Sequence, residues 1–387
     1  MTSSTLAATG KWTATAATLP APRAWLGQYD GPVKVTKDGK ELVLIVGGSD
    51  ANGAAVDEVL LVDPAATTWT PATEKLATAR RLHTVTVVDG GKKVLVIGGA
   101  TGAFSPDAPG LATAELYEVA TGKWTPVASN MKDGRWGHAA TLLTGDKVLV
   151  TGGSTGRSGQ GVRTLATAEI LDVATGKWTD APPMLSARTG HGAVEVGGKV
   201  LVVGGATSVG PDREAGLAYC ELYNGTTWEP TGSLAAGRRL HSVVKLADGG
   251  VLAIGGAAPG SPTGATFDPF SQATVERYSG GSWSAAKSLP YGRAAHRAIE
   301  VKANQVLTIG GTGGDAGYQN SFLLTSDWAA TPAPLEGRWG FGAVALPNDR
   351  VLVVGGVVKS GAATAQPGVN VLTKNAEIYS LNAAVAP

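Results

Sequence analysis

The sequence predicts an all-β protein, a single seven-bladed β-propeller whose ring is closed by an N-terminal strand in the last blade. Three observations support this fold class. A β-branched run that ends in a glycine pair recurs seven times, a tryptophan recurs between these runs, and the last repeat lacks a segment that the N-terminus contains. Repeats of about 50 residues are typical of propellers, in which each repeat forms one blade. We therefore expect one domain over residues 1–387.

The glycine pairs follow one another at intervals of 45 to 55 residues. The runs before them, such as residues 94–97, are apolar on both faces and too short for helices, which favours strands packed between neighbouring sheets. The glycines should permit close backbone approach where each strand leaves the packed ring. The pairs are Gly47-Gly48, Gly98-Gly99, Gly152-Gly153, Gly204-Gly205, Gly255-Gly256, Gly310-Gly311 and Gly355-Gly356.

Two further strands and an opening motif complete most repeats. A strand with Glu-x-Tyr, as in residues 114–117, is followed by a tryptophan strand, as in residues 121–125. The next repeat opens with Arg-x-x-His, as in residues 188–191. This order predicts four strands per blade, named a to d from the channel outward, and the approximate blades 14–70, 71–125, 126–179, 180–229, 230–284, 285–329, and 330–387 plus 1–13.

The two ends of the chain predict how the ring closes. The seventh repeat stops after residues 376–379 without a tryptophan strand. Residues 9–13 match residues 121–125, so the N-terminal segment 1–13 should supply the outer strand of blade 7. An open ring would leave unpaired sheet edges, which this exchange of termini removes.

The glycine pair, the downstream Glu-x-Tyr and the spaced tryptophan resemble Kelch repeats over essentially the whole chain. The sixth repeat departs most, because residues 321–324 read Ser-Phe-Leu-Leu in place of Glu-x-Tyr. The resemblance implies a Kelch-type propeller, a fold that carries both binding proteins and enzymes.

Composition excludes several classes of protein. With 32 Lys and Arg against 31 Asp and Glu, the formal charge is +1, so no overall field attracts nucleic acid or an anionic membrane. The single cysteine, Cys220, allows no internal disulfide and should be a small buried residue. Residues 1–20 lack the basic and apolar regions of a secretion signal, so we expect a cytoplasmic protein, with a secreted mature form as the alternative. We also expect a monomer.

Loop lengths distinguish the two faces of the predicted ring. The a-to-b and c-to-d turns are short, whereas several b-to-c loops exceed ten residues, such as 154–167 and 357–375. The b-to-c and d-to-a connections share one face, called the upper face below. Long loops on a rigid scaffold usually carry function, so we predict that ligands bind there.

An arginine begins the inner strand of every blade, and together these seven residues are predicted to bind an anion at the mouth of the channel. In the alternative interpretation, each arginine bonds carbonyl groups or the strand-c glutamate within its blade. The sequence leaves both open. The residues are Arg23, Arg80, Arg135, Arg188, Arg238, Arg293 and Arg338.

All five histidines stand three residues after one of these arginines, in five different blades. Equivalent positions in a ring do not converge, so the histidines are predicted to pack between blades rather than to bind a metal. We expect no metal and no cofactor. The histidines are His83, His138, His191, His241 and His296.

Three of the ten tryptophans, Trp25, Trp136 and Trp339, lie outside the strand-d position, one or two residues after an arginine of the ring. Blades 1 and 7 carry Leu26 and Phe341 in place of histidine. Together with the ring arginines, we predict a ligand-binding site lined by the three tryptophans and Phe341; the alternative is that the tryptophans plug the channel as core.

The predicted function is recognition of an anionic, partly aromatic small molecule or an acidic peptide at this mouth. The alternative is a metal-free lyase, isomerase or cyclase of secondary metabolism that uses the same pocket. Its catalytic residues are unknown, and the acid–base candidates, which are otherwise solvated caps, are Asp107, Asp212, Glu214, Asp268, Tyr291, Asp315 and Tyr318.

Overall fold

The computed structural model describes residues 10–26, 31–64, 68–72, 74–103, 108–157, 160–210, 213–257, 271–365 and 369–382. These residues form seven four-stranded antiparallel sheets. The innermost strand of each sheet contacts the innermost strands of both neighbouring sheets, and blade 7 contacts blade 1 in the same way. The fold is therefore a closed seven-bladed β-propeller, as predicted.

The strands keep the order a, b, c, d in every blade. The a strands are Val33–Lys37, Thr84–Val88, Ala139–Leu143, Gly192–Val196, Ser242–Lys245, Arg297–Lys302 and Gly342–Leu346. The b strands are Lys40–Val46, Lys93–Ile97, Lys147–Thr151, Lys199–Val203, Val251–Ile254, Gln305–Ile309 and Arg350–Val354. The c strands are Val59–Asp63, Ala114–Glu118, Ala168–Asp172, Cys220–Tyr223, Val275–Ser279, Ser321–Leu324 and Ala376–Ser380. The d strands are Thr68–Pro71, Lys123–Pro126, Lys177–Ala181, Trp228–Pro230, Ser282–Ala285, Trp328–Ala330 and, in blade 7, Lys11–Ala14.

The N-terminal strand closes the ring, as the sequence predicts. Lys11–Ala14 pairs antiparallel with Ala376–Ser380, with Trp12 opposite Tyr379 and the two ring centroids 5.3 Å apart. The same pairing of a strand-c tyrosine with a strand-d tryptophan recurs in other blades, as for Tyr117 and Trp124 at 5.0 Å. The first strand of the chain is thus an ordinary outer strand of the last blade.

The core lies between blades, which explains why the b strands are apolar on both faces. Leu44 and Val46 pack with Val94 of blade 2, whereas the alternating residue Val43 packs with Leu352 of blade 7. Side chains of a strand alternate between its two faces. Each b strand therefore belongs to two interblade cores.

The glycine pairs join each blade to the next. The first glycine of each pair has φ between 54° and 62°, and a Cβ there would lie only 2.3–2.9 Å from the carbonyl oxygen of the next blade's ring arginine. The N–H of the second glycine donates to that same oxygen at 2.7–3.0 Å, from Gly48 and Arg80 through to Gly356 and Arg23. Seven such hydrogen bonds run around the complete ring, so glycine is required for the close approach.

The upper face carries additional structure. Its b-to-c loops form β-hairpins in three blades, Ser154–Arg157 with Gly161–Thr164, Ala206–Gly210 with Arg213–Gly216, and Val357–Lys359 with Val371–Leu372. The helical elements described are two short 3-10 turns, Asp89–Gly91 and Gly361–Ala363. Within the described ranges, no helix has the length and apolar character needed to cross a membrane.

Ring closure can be tested by deleting residues 1–14, which removes the d strand of blade 7 and exposes the edge of Ala376–Ser380. We expect loss of the single cooperative transition in a thermal melt monitored by circular dichroism, because the interblade packing of Trp12 and Tyr379 is lost as well. As a control, a synthetic peptide of residues 1–16 added in trans should restore the transition. An unchanged melting temperature in the deletion variant would refute this closure.

Candidate functional site

The seven ring arginines lie inside the blades, with at most 1% of each side chain exposed. In blade 2, Arg80 Nη2 lies 2.6 Å from Glu115 Oε1 of strand c, and Nη1 donates to the carbonyl oxygens of Gly98 and Thr113 at 2.8 and 3.2 Å. Six of the arginines pair with a glutamate of their own blade. The pairs are Arg23–Glu58, Arg80–Glu115, Arg135–Glu169, Arg188–Glu221, Arg238–Glu276 and Arg338–Glu377.

In five blades the glutamate also holds the loop that leads into strand a. Glu115 Oε2 accepts a hydrogen bond of 2.7 Å from the N–H of Ala77, which stands three residues before Arg80. The corresponding donors of the other blades are the N–H groups of Lys132, Leu185, Ala235 and Leu335. Each carboxylate therefore joins strand c to the loop as well as to the arginine.

This geometry corrects the predicted cationic mouth. Burial lowers the pKa of Arg80 and Arg188, and their glutamate partners Glu115 and Glu221 oppose that shift from inside the blade. The structure thus favours the alternative interpretation for six arginines: five bond a strand-c glutamate, and Arg23 bonds Glu58 in the loop before strand c. Arg293 is the exception, because among the described residues no carboxylate lies within ion-pair distance of it.

The histidines occupy the interblade position that the sequence predicts. Each is at most 2% exposed, and a Cβ on the first glycine of the preceding blade would touch the ring, as for Gly47 and His83 at 3.0 Å. His138 Nε2 also lies 3.0 Å from Thr84 Oγ1 of blade 2. In the described part of the chain, no three His, Cys, Asp or Glu side chains form a group suited to a metal ion.

Two rings of residues form the mouth of the channel on the upper face. The residue that follows each ring arginine pairs with the residue after the glycine pair of its blade. These first-ring residues are Ala24, Arg81, Trp136, Thr189, Arg239, Ala294 and Trp339. The next residue of each blade has φ between 49° and 64°. These second-ring residues, called the floor below, are Trp25, Leu82, Gly137, Gly190, Leu240, Ala295 and Gly340.

Backbone hydrogen bonds of 2.8–3.1 Å between neighbouring floor residues hold this conformation, as from Gly190 N–H to the carbonyl of Gly137 and from Trp25 N–H to that of Gly340. Glycine adopts positive φ without steric cost, whereas for leucine or tryptophan the left-handed region costs roughly 1–2 kcal/mol. Trp25, Leu82 and Leu240 nevertheless stand there, and all three remain partly exposed. They form an apolar surface at the mouth.

The predicted aromatic residues are divided between mouth and core. Trp25 and Trp339 form an edge-to-face pair with centroids 5.6 Å apart, and Trp136 is partly exposed in the first ring. Trp339 is only 6% exposed. Phe341 and Leu26 are fully buried between blades at the histidine position, so we correct the placement of Phe341 at the mouth: it is core.

Sequence reasoning missed four residues of the mouth, Arg81, Leu82, Arg239 and Leu240. Their signal was present, because blades 2 and 5 share Arg-Arg-Leu-His where other blades have glycine, alanine, threonine or tryptophan at the two middle positions. Arg239 pairs with Glu214 of the neighbouring hairpin, and burial lowers the pKa of Arg81.

The described acid–base candidates have structural contacts. Glu214 pairs with Arg239, and Asp315 Oδ2 accepts a hydrogen bond of 3.0 Å from Ala362 N–H in the loop of blade 7. Tyr318 lies against Arg293, and Tyr291 is 58% exposed and packs on Phe322. Asp107, Asp212 and Asp268 lie outside the described residues.

A closed ring of seven four-stranded blades with long loops on one face defines the chain as a seven-bladed β-propeller. The chain belongs to the Kelch-repeat family, since the model of the KLHDC2/KLHL20/DRC7 Kelch-repeats domain matches residues 33–256, more than half of its length.

Similar proteins agree with this assignment. Kelch-like protein terF of Aspergillus terreus is 27% identical over 254 residues, 61% of this chain and 53% of that protein. Human Kelch-like protein 34 is 28% identical over 239 residues, 58% of this chain and 34% of that protein. The chain thus spans about half or less of these relatives. The solved structure of YjhT, at 16% identity and a TM-score of 0.56, covers 81% of this chain and 99% of its own, and shares the fold.

Histidine burial makes a prediction about pH. The pKa of His83 falls to about 3, because burial and Arg80 disfavour the imidazolium form. Below its unfolded pKa of about 6.5, the unfolded chain therefore takes up a proton that the folded chain does not, and stability falls with pH until about 3. His83→Phe, which copies Phe341, should reduce the stability lost between pH 7 and pH 5 by about 2 kcal/mol in urea unfolding. The same pH dependence in both proteins would rule out a buried neutral His83.

Proposed function

We propose that the upper face binds a ligand that places an apolar or aromatic group on the floor and an anionic group near its rim. The proposal rests on the residue types that occupy the positive-φ positions of the floor. Gly137, Gly190 and Gly340 show that glycine fits this backbone, yet Trp25 and Leu82 present large apolar side chains there at a cost in strain. Strained residues that persist in a fold are concentrated at functional sites.

The distribution of exposed apolar residues supports the same face. Among the described residues, six large apolar or aromatic side chains are more than 40% exposed, and all but Leu142 lie in d-to-a or b-to-c connections. Exposed apolar surface collected on one face is a mark of a binding surface. The five residues on the upper face are Leu185, Val209, Tyr291, Leu335 and Val371.

The anionic part of the proposal rests on the cations at the rim. Arg81, which is 6% exposed, and Arg239, which pairs with Glu214, stand in the first ring of blades 2 and 5, next to Leu82 and Leu240 of the floor. A cation beside an apolar wall binds an anion more strongly than in open water, because the local dielectric constant is lower. A small aromatic acid and an acidic peptide share this chemistry.

No contact of the described acidic candidates specifically favours catalysis, so the metal-free lyase, isomerase or cyclase stays a prediction from sequence. Glu214 and Asp315 make the structural contacts described above. A rigid cup with an apolar floor and polar rim is sufficient for recognition.

The floor can be tested with 8-anilinonaphthalene-1-sulfonate, a dye that is both aromatic and anionic. Leu82→Gly combined with Leu240→Gly should keep the fold, since both positions have φ of 53°, and should weaken dye binding by about tenfold in a fluorescence titration. The matched control is Leu142→Ser, which removes an exposed leucine from an inner strand rather than from the upper-face connections. Equal dye affinity of the double variant and the wild type would contradict the proposal.

A further inference from the structure

Blade 6 lacks the acid that the other blades place beside the ring arginine. Phe322 pairs with Thr308 of strand b in the register in which Glu115 pairs with Val96 in blade 2, so it stands at the glutamate position. Blade 1 has Leu60 at this position, but Arg23 pairs there with Glu58 instead. Blade 6 alone among the seven has no such replacement in the described structure.

The loop that leads into strand a of blade 6 also lacks the N–H that would bind the missing glutamate. Where Glu115 accepts a hydrogen bond from Ala77 N–H, the residue three positions before Arg293 is Pro290, which has no N–H. The loop donor that binds this glutamate in five other blades is therefore absent from blade 6. Blade 6 thus lacks both the strand-c carboxylate and the loop N–H that the carboxylate binds in other blades.

Among the described residues, no acidic side chain pairs with Arg293. Its side chain is fully buried, and its hydrogen bonds go to the neutral oxygens Gly310 O and Asn320 Oδ1, both at 2.7 Å. Arg135 of blade 3, by comparison, makes five hydrogen bonds, one of them to Glu169. A guanidinium group has five N–H donors, so Arg293 retains capacity for an oxyanion.

Two aromatic rings flank the guanidinium group of Arg293. The centroid of Phe322 lies 5.1 Å and that of Tyr318 5.5 Å from Cζ. Aromatic faces attract a cation but carry no net charge that neutralises it. Phe322 is 6% exposed, whereas Tyr318 is partly exposed, so Tyr318 is the ring on the solvent side of the guanidinium group.

The location joins Arg293 to the proposed binding face. Arg293 precedes Ala294 of the first ring and Ala295 of the floor, and Ala295 packs with Trp339 and Trp25. Blades 6, 7 and 1 are consecutive in the closed ring and carry the departures from the repeat at the glutamate and histidine positions.

We propose that Arg293 is a further anion-binding residue of the upper face, and that the group it binds is a carboxylate, which takes the place of the missing strand-c glutamate. Five sister blades show the same guanidinium position holding the carboxylate of that glutamate. For a larger ligand the inference rests on the proposed function of the upper face. For a small carboxylate it stands by itself.

The test measures thermal unfolding of the full chain at pH 7 in sodium acetate and in sodium chloride of equal ionic strength. A ligand that binds only the folded state raises the melting temperature with its concentration, so acetate should stabilise the wild type relative to chloride. Phe322→Glu supplies the carboxylate from within the blade, and the acetate affinity derived from the shift should fall by about tenfold or more. The matched control is Leu60→Glu in blade 1, where Arg23 already has Glu58, and the acetate response should persist.

If Phe322→Glu does not fold, Arg293→Met provides the test instead, because loss of the guanidinium group should also abolish the acetate response. The inference is overturned if Phe322→Glu or Arg293→Met shows the same acetate response as the wild type, or if the wild type shows none. Either result leaves dye binding to Leu82 and Leu240 as a separate measurement, so failure of the carboxylate site is distinguished from failure of the binding face.

Discussion

The rest of the structure depends on a buried ion pair that recurs in five of the seven blades, between the arginine that precedes strand a and the glutamate of strand c. In blade 2 the guanidinium group of Arg80 bonds Glu115 and the carbonyl group of Gly98, which holds the upper ends of three strands together. The backbone oxygen of Arg80 meanwhile accepts the N–H of Gly48 from blade 1. A single residue therefore organises its own blade and attaches it to the preceding one. Removing one partner of such a pair would leave a buried charge uncompensated, which is strongly destabilising.

This constraint determines where a ligand can bind. Because six guanidinium groups are committed inside the blades, the surface of the mouth is made by the two residues that follow each arginine. Those positions vary from blade to blade, as between Leu82, Gly137 and Ala295, while the backbone stays the same. The propeller thus separates a repeated structural node from an adjacent variable ring, and the variable ring supplies the apolar floor.

Much of the fold could be predicted from the sequence, because its signals are local and repeated. Residues 9–13 matched the tryptophan strand of blade 2, and pairing of Trp12 with Tyr379 confirmed the closure. The interblade role of the histidines followed from their equivalent positions. The site was harder to predict because the sequence does not distinguish an arginine aimed at solvent from one aimed at Glu115. Phe341 was misplaced for a related reason: it occupies the buried histidine position rather than the mouth.

Two floor residues, Leu82 and Leu240, were missed because their exposure depends on backbone conformation. Leu82 and Leu240 look like ordinary strand residues in sequence, but hydrogen bonds between neighbouring floor residues hold this ring at positive φ. Such a ring exists only once all seven blades have assembled. Residues 321–324 already marked blade 6 as the repeat that departs most. The sequence alone did not show that these residues stand beside Arg293, or that Pro290 lies where other blades have the loop donor.

The central claim is that the ring arginines act inside their blades and that blade 6 differs. Urea unfolding of Arg188→Met and Arg293→Met tests it most directly. Arg188→Met should lose about 3–5 kcal/mol of stability, because Glu221 would stay buried without its partner. Arg293→Met should lose less than about 2 kcal/mol, because only neutral oxygens lose a donor. Equal losses in the two variants would contradict the account.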